Sequence, residues 1–140
     1  MAPISKLNDY HTILVSGIIL NKNRVLLGLR KNTQYFSDFW SLPVGHVETN
    51  ESLLVALERE LSEELGIELI QKEVFCVKTD EKNSVYHQVF IINDFHGQIN
   101  NQEPQYCEEL RWCELENLPE PLTPISREIL SELKKKLNTQ

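Results

Sequence analysis

Glu60, Glu63 and Glu64 stand within five positions of one another, beside Arg59 and among leucines, in the stretch GHVETNESLLVALERELSEELGI from Gly45 to Ile67. At 100° per residue, Glu63 and Glu64 flank Glu60 on one strip of a helix. An apolar stripe of Leu53, Leu57, Leu61 and Leu65, joined by Leu54, begins immediately beside that strip. Three carboxylates therefore point at the boundary between core and solvent, where desolvation and mutual repulsion both oppose ionisation. A hard divalent cation resolves the conflict, because magnesium prefers oxygen ligands and its two charges offset the crowding. Glu51 and Arg59 then read as supports, since an arginine fork can hold a carboxylate through two hydrogen bonds. The plain alternative is a solvated acidic helix face, as glutamate is a good helix former.

The formal net charge of −7 argues against affinity for nucleic-acid polymers, which need a basic surface. A small anionic ligand can still bind if a cation bridges its phosphates to carboxylate oxygens. No apolar run reaches the length of a membrane span, and the opening MAPISKLNDY lacks the pattern of a signal peptide, so a cytoplasmic location is expected. Cys76, Cys107 and Cys113 lack the spacing of a zinc site or a disulfide framework.

The full spacing is more informative than the glutamates alone. Gly45, Glu51, Arg59, Glu60, Glu63, Glu64 and Gly66, with aliphatic Leu61 and Ile67, fill every fixed position of the Nudix box, G-x5-E-x7-R-E-U-x-E-E-x-G-U. Seven specified residue types at fixed distances arise by chance in roughly one window in a billion. LLGLRKN, FWSLPVGHVE and EPQYCEELRW also resemble the corresponding segments of MutT-like Nudix hydrolases that act on nucleoside triphosphates, so the likeness covers nearly the whole chain. One departure is Val44, which stands where such sequences usually carry a second glycine.

The resemblance implies that Glu60, Glu63 and Glu64 hold magnesium, for which manganese could substitute, and that a main-chain carbonyl at or before Gly45 completes the coordination. It implies Arg59 and Glu51 as the supporting pair. It also implies a further acid outside the box, for which Glu103 matches best, with Glu108 and Glu109 close rivals. Arg30 and His46 resemble residues that touch substrate phosphates. Trp40, Phe36 and Phe90 are candidates to meet a base, Phe90 within the alternating set Tyr86, Gln88, Phe90 and Ile92. The implied reaction is hydrolysis of a phosphoanhydride in a nucleoside triphosphate, including an oxidised or modified purine, to the monophosphate and pyrophosphate. The box recognises phosphates alone, so nucleotide sugars, dinucleoside polyphosphates and a pterin triphosphate stay open. A non-catalytic sensor or protein-binding domain of the same family would be expected to lose carboxylates that are all present here.

These residues need elements to position them. HTILVSGIIL (11–20) and RVLLGLR (24–30) read as a hairpin around the turn NKN, and 31–43 as a loop that lines something. The box helix takes Thr49 or Asn50 as its cap, Glu51 against its positive end and Gly66 as its left-handed stop. EVFCVKTD (73–80) and VYHQVFIIND (85–94) read as antiparallel strands, and ELRWCEL (109–115) as a shorter one. After LPEPLTP, a final helix lines Ile125, Ile129, Leu130, Leu133 and Leu137 on one face, with Lys134 to Lys136 at its negative end. Two helices and five or six strands in mixed order suggest a single domain of 1–140 with an α/β/α sandwich around a mixed sheet. A homodimer is compatible with a domain of this size, but no feature marks an interface.

Overall fold

A computed structural model describes residues 7–139. The chain forms two compact units: one of the chain up to Ile19 with Pro43–Gln102, the other of Leu20–Leu42 with the chain from Glu103 onward. The first strand, β1 (Thr12–Asn21), runs from the first unit into the second.

In the first unit β1 pairs in parallel with β6 (Val85–His96), from Thr12↔Val85 to Ile19↔Ile92, and antiparallel with β4 (Val44–His46). The long β5 (Glu68–Asp80) closes the sheet antiparallel to β6. Val15 to Ile19 and Tyr86 to Ile92 are buried without alternation. Parallel neighbours covered on both faces account for these near-continuous apolar runs.

Helix α1 (Leu53–Leu65) buries Leu53, Ala56, Leu57, Leu61 and Leu65, so Ala56 takes a place in the stripe while Leu54 is half-buried. Each leucine removed from water contributes roughly 1.5–3 kcal/mol. The stripe lies over Gly17, where an added Cβ would meet Leu61, Ile92 and Leu57 at 3.3, 3.5 and 3.6 Å. The helix starts later than expected. Its N-cap is Ser52, in extended conformation (φ −74°, ψ 160°), whose hydroxyl accepts from the Val55 amide at 3.1 Å. Asn50 cannot cap, because its left-handed backbone (φ 67°) belongs to the preceding turn. Glu51 consequently lies before the helix, and no acid occupies the first turn. Gly66 ends the helix as expected, with φ 75°.

β5 begins at Glu68, five residues earlier than its apolar pattern suggests. It is the edge of its sheet, with Ile70, Val74 and Val77 exposed, and its register shifts at Leu69/Gln71, Gln71/Lys72 and Val74/Cys76. Each bulge resets which face a side chain meets, which erases the period of two that a strand pattern depends on.

In the second unit the end of β1 turns through Lys22 (φ 58°) and Asn23 into β2 (Arg24–Arg30), as Leu20↔Val25 and Asn21↔Arg24 pair. β2 lies between β3 (Trp40–Ser41) and β7 (Cys107–Glu114), antiparallel to both. Helix α2 (Pro124–Asn138) has proline in its first turn and buries Ser126, Ile129, Leu130 and Leu133. Leu137, expected on the buried face, is exposed in the last turn. Ser126 takes part because its hydroxyl accepts from the Leu42 amide at 3.0 Å and from Thr123 Oγ1 at 2.8 Å. No helix among the described residues is long and apolar enough to cross a membrane.

One buried titratable group makes stability depend on pH. His87 is 4% exposed in β6, its Nε2 against the Ser16 hydroxyl, and burial pushes its pKa down to about 4. The unfolded imidazole takes up its proton near pH 6.5, whereas the folded one stays neutral until about pH 4. Stability is therefore lost as pH falls through that window and levels off below it. The loss is on the order of 3 kcal/mol. Urea unfolding at pH 7, 5.5 and 4.5 should show this decline in the wild type and a flatter profile in His87→Gln; parallel profiles would refute it.

Candidate metal centre

Arg59 organises the site. It projects from the middle of α1 at 24% side-chain exposure and holds Glu51 through two hydrogen bonds, Nε to Oε2 at 2.7 Å and Nη2 to Oε1 at 2.9 Å. The Glu51 side chain is 11% exposed. The Glu48 amide donates to the same carboxylate at 3.0 Å, so Glu51 is fixed from both sides. The Arg59 hydrogen bond holds the Glu51 carboxyl below the usual carboxylate range. In return, hydrogen bonding to Glu51, with Glu60 adding to it, raises the guanidinium above its ordinary value.

The remaining donors of Arg59 reach the box glutamates and the loop ahead of the helix. Nη1 donates to Glu60 Oε1 at 2.8 Å and lies 3.5 Å from Glu63 Oε2, while Nη2 donates to the His46 carbonyl at 2.9 Å. Glu48 lies 3.8 Å away on the outer side. Glu60 is 18% exposed, Glu63 is 55% exposed, and the Oε2 atom of Glu64 is buried. One guanidinium thus ties the segment at residues 46–51 to the acidic strip of α1. An exposed pair of this kind contributes little, but this fork is shielded, bidentate and part of a network.

Gly45 completes the arrangement by lacking a side chain. β4 pins it opposite Val15, and a Cβ there would fall on the Glu60 carboxyl group. Only glycine lets the Glu60 side chain lie flat against this backbone. Val44 is an ordinary strand residue opposite Ser16, so nothing in its geometry calls for a glycine.

The donor set suits a hard cation: three carboxylates on one helix strip, a glycine backbone against the Glu60 carboxyl group, and no sulfur or imidazole among them. Among the described residues, however, no three His, Cys, Asp or Glu side chains already stand close enough to hold an ion. Arg59 draws Glu60 and Glu63 toward itself, so the centre as it stands is an arginine-linked cluster with an excess of carboxylates and not a closed coordination sphere.

The structure thus joins Gly45, His46, Glu51, Arg59, Glu60 and Glu63 through direct contacts, with Glu64 on the same helix. His46 contributes its carbonyl, while its ring is exposed. Phe90 is buried in β6, opposite Gly17 and on the face that carries Ile92 beneath α1. Arg30, Trp40 and Glu103 belong to the second unit. Arg30 donates from Nη2 to the Tyr35 carbonyl at 3.0 Å. Its Nε is buried with no hydrogen-bond partner among the described residues, and burial lowers its pKa. Trp40 is 5% exposed and one ring face is covered by the Arg111 guanidinium, 4.4 Å from the centroid. Phe36 is exposed, with a left-handed backbone and an edge contact to Phe39. Glu103 offers its carbonyl to the Tyr106 and Cys107 amides, each at 2.9 Å. Sequence reading passed over Glu48, within the box, and Gln102, which bonds to carbonyls of α1 from about forty residues away in sequence.

Known proteins resemble this chain in fold and in sequence. The MutT NUDIX hydrolase of Burkholderia pseudomallei superposes with a TM-score of 0.78 at 33% identity, over 86% of this chain and 95% of that one. In sequence, the 8-oxo-dGTP diphosphatase of Buchnera aphidicola subsp. Schizaphis graminum is 35% identical over 94 residues, 66% of this chain and 72% of its own. The CTP pyrophosphohydrolase of Escherichia coli is 34% identical over 114 residues, covering 79% and 82%. These likenesses define an α/β sandwich hydrolase built on a mixed sheet. The NUDIX domain model matches residues 11–133, and the chain belongs to the Nudix hydrolase family.

Proposed function

We propose that this protein hydrolyses a nucleoside triphosphate to the monophosphate and pyrophosphate, with magnesium as its cofactor, in the cytoplasm where such nucleotides are met. The observation that carries the reading is the Arg59 cluster, which fixes the orientation of Glu51 and Glu60 and holds Glu60 against Gly45. The named activities of the Buchnera and E. coli relatives support the substrate class.

Glu60, Glu63 and Glu64 would hold the ion, with a main-chain carbonyl at or before Gly45, and manganese would substitute because it shares the oxygen preference. Bound there, the ion supplies the positive charge that an acidic chain lacks for gathering phosphate oxygens. Arg59 supplies orientation: its fork on Glu51 leaves Nη1 directed at Glu60, so that carboxylate is held in place before substrate arrives. Water adds to phosphorus, the bond from phosphorus to the pyrophosphate oxygen breaks, and the water proton passes to a carboxylate of the helix strip.

The deciding experiment is a substrate panel with magnesium, containing CTP, 8-oxo-dGTP, unmodified nucleoside triphosphates, a nucleotide sugar and a dinucleoside polyphosphate, with products identified by mass spectrometry. Monophosphate and pyrophosphate from a triphosphate are expected. Turnover confined to the sugar or dinucleoside compounds, or release of orthophosphate alone, would refute the proposal.

A further inference from the structure

An α-helix leaves its last four carbonyls without partners inside the helix. In α1 these belong to Ser62, Glu63, Glu64 and Leu65, and two of the four are on residues assigned above to the metal. The segment before residue 103 satisfies them almost entirely. The side-chain amide of Gln102 donates to the Ser62 carbonyl at 2.8 Å and the Glu63 carbonyl at 3.1 Å. The Gln102 main-chain amide donates to Glu64 at 3.1 Å, and the Asn100 amide donates to Leu65 at 3.0 Å. Gly66 adds a second hydrogen bond to Ser62 alone, at 3.0 Å. A side chain at residue 66 would crowd this amide, since an added Cβ would lie 2.7 Å from Gln102 Oε1.

We propose that Gln102 is a positioning residue for the metal centre, clamping the last turn of α1 so that Glu63 and Glu64 keep helical register with Glu60. The proposal rests on Glu60, Glu63 and Glu64 holding the cation. Helix ends fray and tighten toward 3₁₀ geometry, in which residues three apart eclipse. Fraying would release both side chains from the strip, and 3₁₀ tightening, at about 120° per residue, would stack Glu63 over Glu60 while turning Glu64 off the strip. The glycine cap bonds to Ser62, while Gln102 holds the carbonyls of Glu63 and Glu64. A primary amide is suited to this task because its two N–H groups can each serve one carbonyl.

Two substitutions separate the clamp from general stability. Gln102→Met keeps length and main-chain hydrogen bonds but removes both donors; Gln102→Lys restores donors and places a cation where the helix dipole favours it. Manganese binding is measured by calorimetry without nucleotide, alongside the magnesium midpoint and nucleotide KM of hydrolysis. Gln102→Met should weaken manganese binding and raise the magnesium midpoint by about tenfold, as loss of an outer partner of a metal ligand typically does. KM at saturating magnesium should stay within about twofold of wild type, and Gln102→Lys should approach wild type in every measurement. A Gln102→Met protein with unchanged metal binding overturns the clamp while leaving the metal centre standing. So does a Gln102→Lys protein as impaired as Gln102→Met. A wild-type protein that takes up no manganese overturns both this proposal and the reading beneath it.

Discussion

Glu64→Gln is expected to lower hydrolysis by roughly 10²–10³-fold, the usual scale for removing one group that stabilises charge in the transition state. The substitution is isosteric, so it tests charge and not shape. Glu64 lies half-buried on α1, with its Oε2 buried, between the apolar stripe and the acidic strip. Glutamine there keeps the packing but removes one of the three charges that a cation would answer. It also relieves repulsion with Glu60 and Glu63, so the melting temperature without metal should hold or rise slightly. Glu63→Gln should behave similarly, although its greater exposure leaves it freer to adjust. Pyrophosphate release and melting, each with and without magnesium, test both halves. Full turnover in both variants would remove the glutamates from the mechanism.

Gly45→Ala carries the second large effect, and its sign is diagnostic. Within a strand, replacing glycine by alanine ordinarily stabilises, because the unfolded chain has less freedom to lose. Here the new methyl group would occupy the space of the Glu60 carboxyl group. Neither side can move away easily. Gly45 is held by the ladder to Val15, and Glu60 by Arg59, which is itself locked to Glu51 and the His46 carbonyl. Overpacking combined with displacement of a partly buried ion pair should cost about 3 kcal/mol, or about 10 °C in melting temperature for a chain of this size. Activity should fall with it, since Glu60 would be pushed off the strip. Val44→Ala is the control, because the neighbouring position has ordinary strand geometry. A Gly45→Ala protein as stable and active as wild type would show that the contact between Glu60 and residue 45 is incidental.

The supporting pair was legible in the sequence, because the spacing from Glu51 to Arg59 is part of a motif and an arginine fork matches a carboxylate through two hydrogen bonds. The body of α1 and its glycine stop were legible for the same local reason, a four-residue leucine period ending in a residue free to turn left-handed. Its start was not, since Thr49, Asn50 and Ser52 are all good caps and only the backbone at each decides between them. The first half of β5 was hidden by bulges on an edge strand. Phe90 and Trp40 show a different limit: aromatic residues suited to stacking are equally suited to filling a core, and both are buried. Gln102 had no local signal at all, because its partners lie on a helix that ended at Leu65.

The parallel ladder of β1 and β6 also governs how the chain reaches this structure. At its entrance the His11 amide bonds to Ser84, residues 73 positions apart. No short-range turn can bring such strands together, so this pairing must close a long loop and is slow relative to the local hairpins. On a ribosome, α1 would emerge with its leucine stripe complete well before β6 exists to lie beneath it. Until then the nascent chain exposes a sticky surface, and the interval between synthesis of Leu65 and Ile92 is when chaperone capture or misassembly would act.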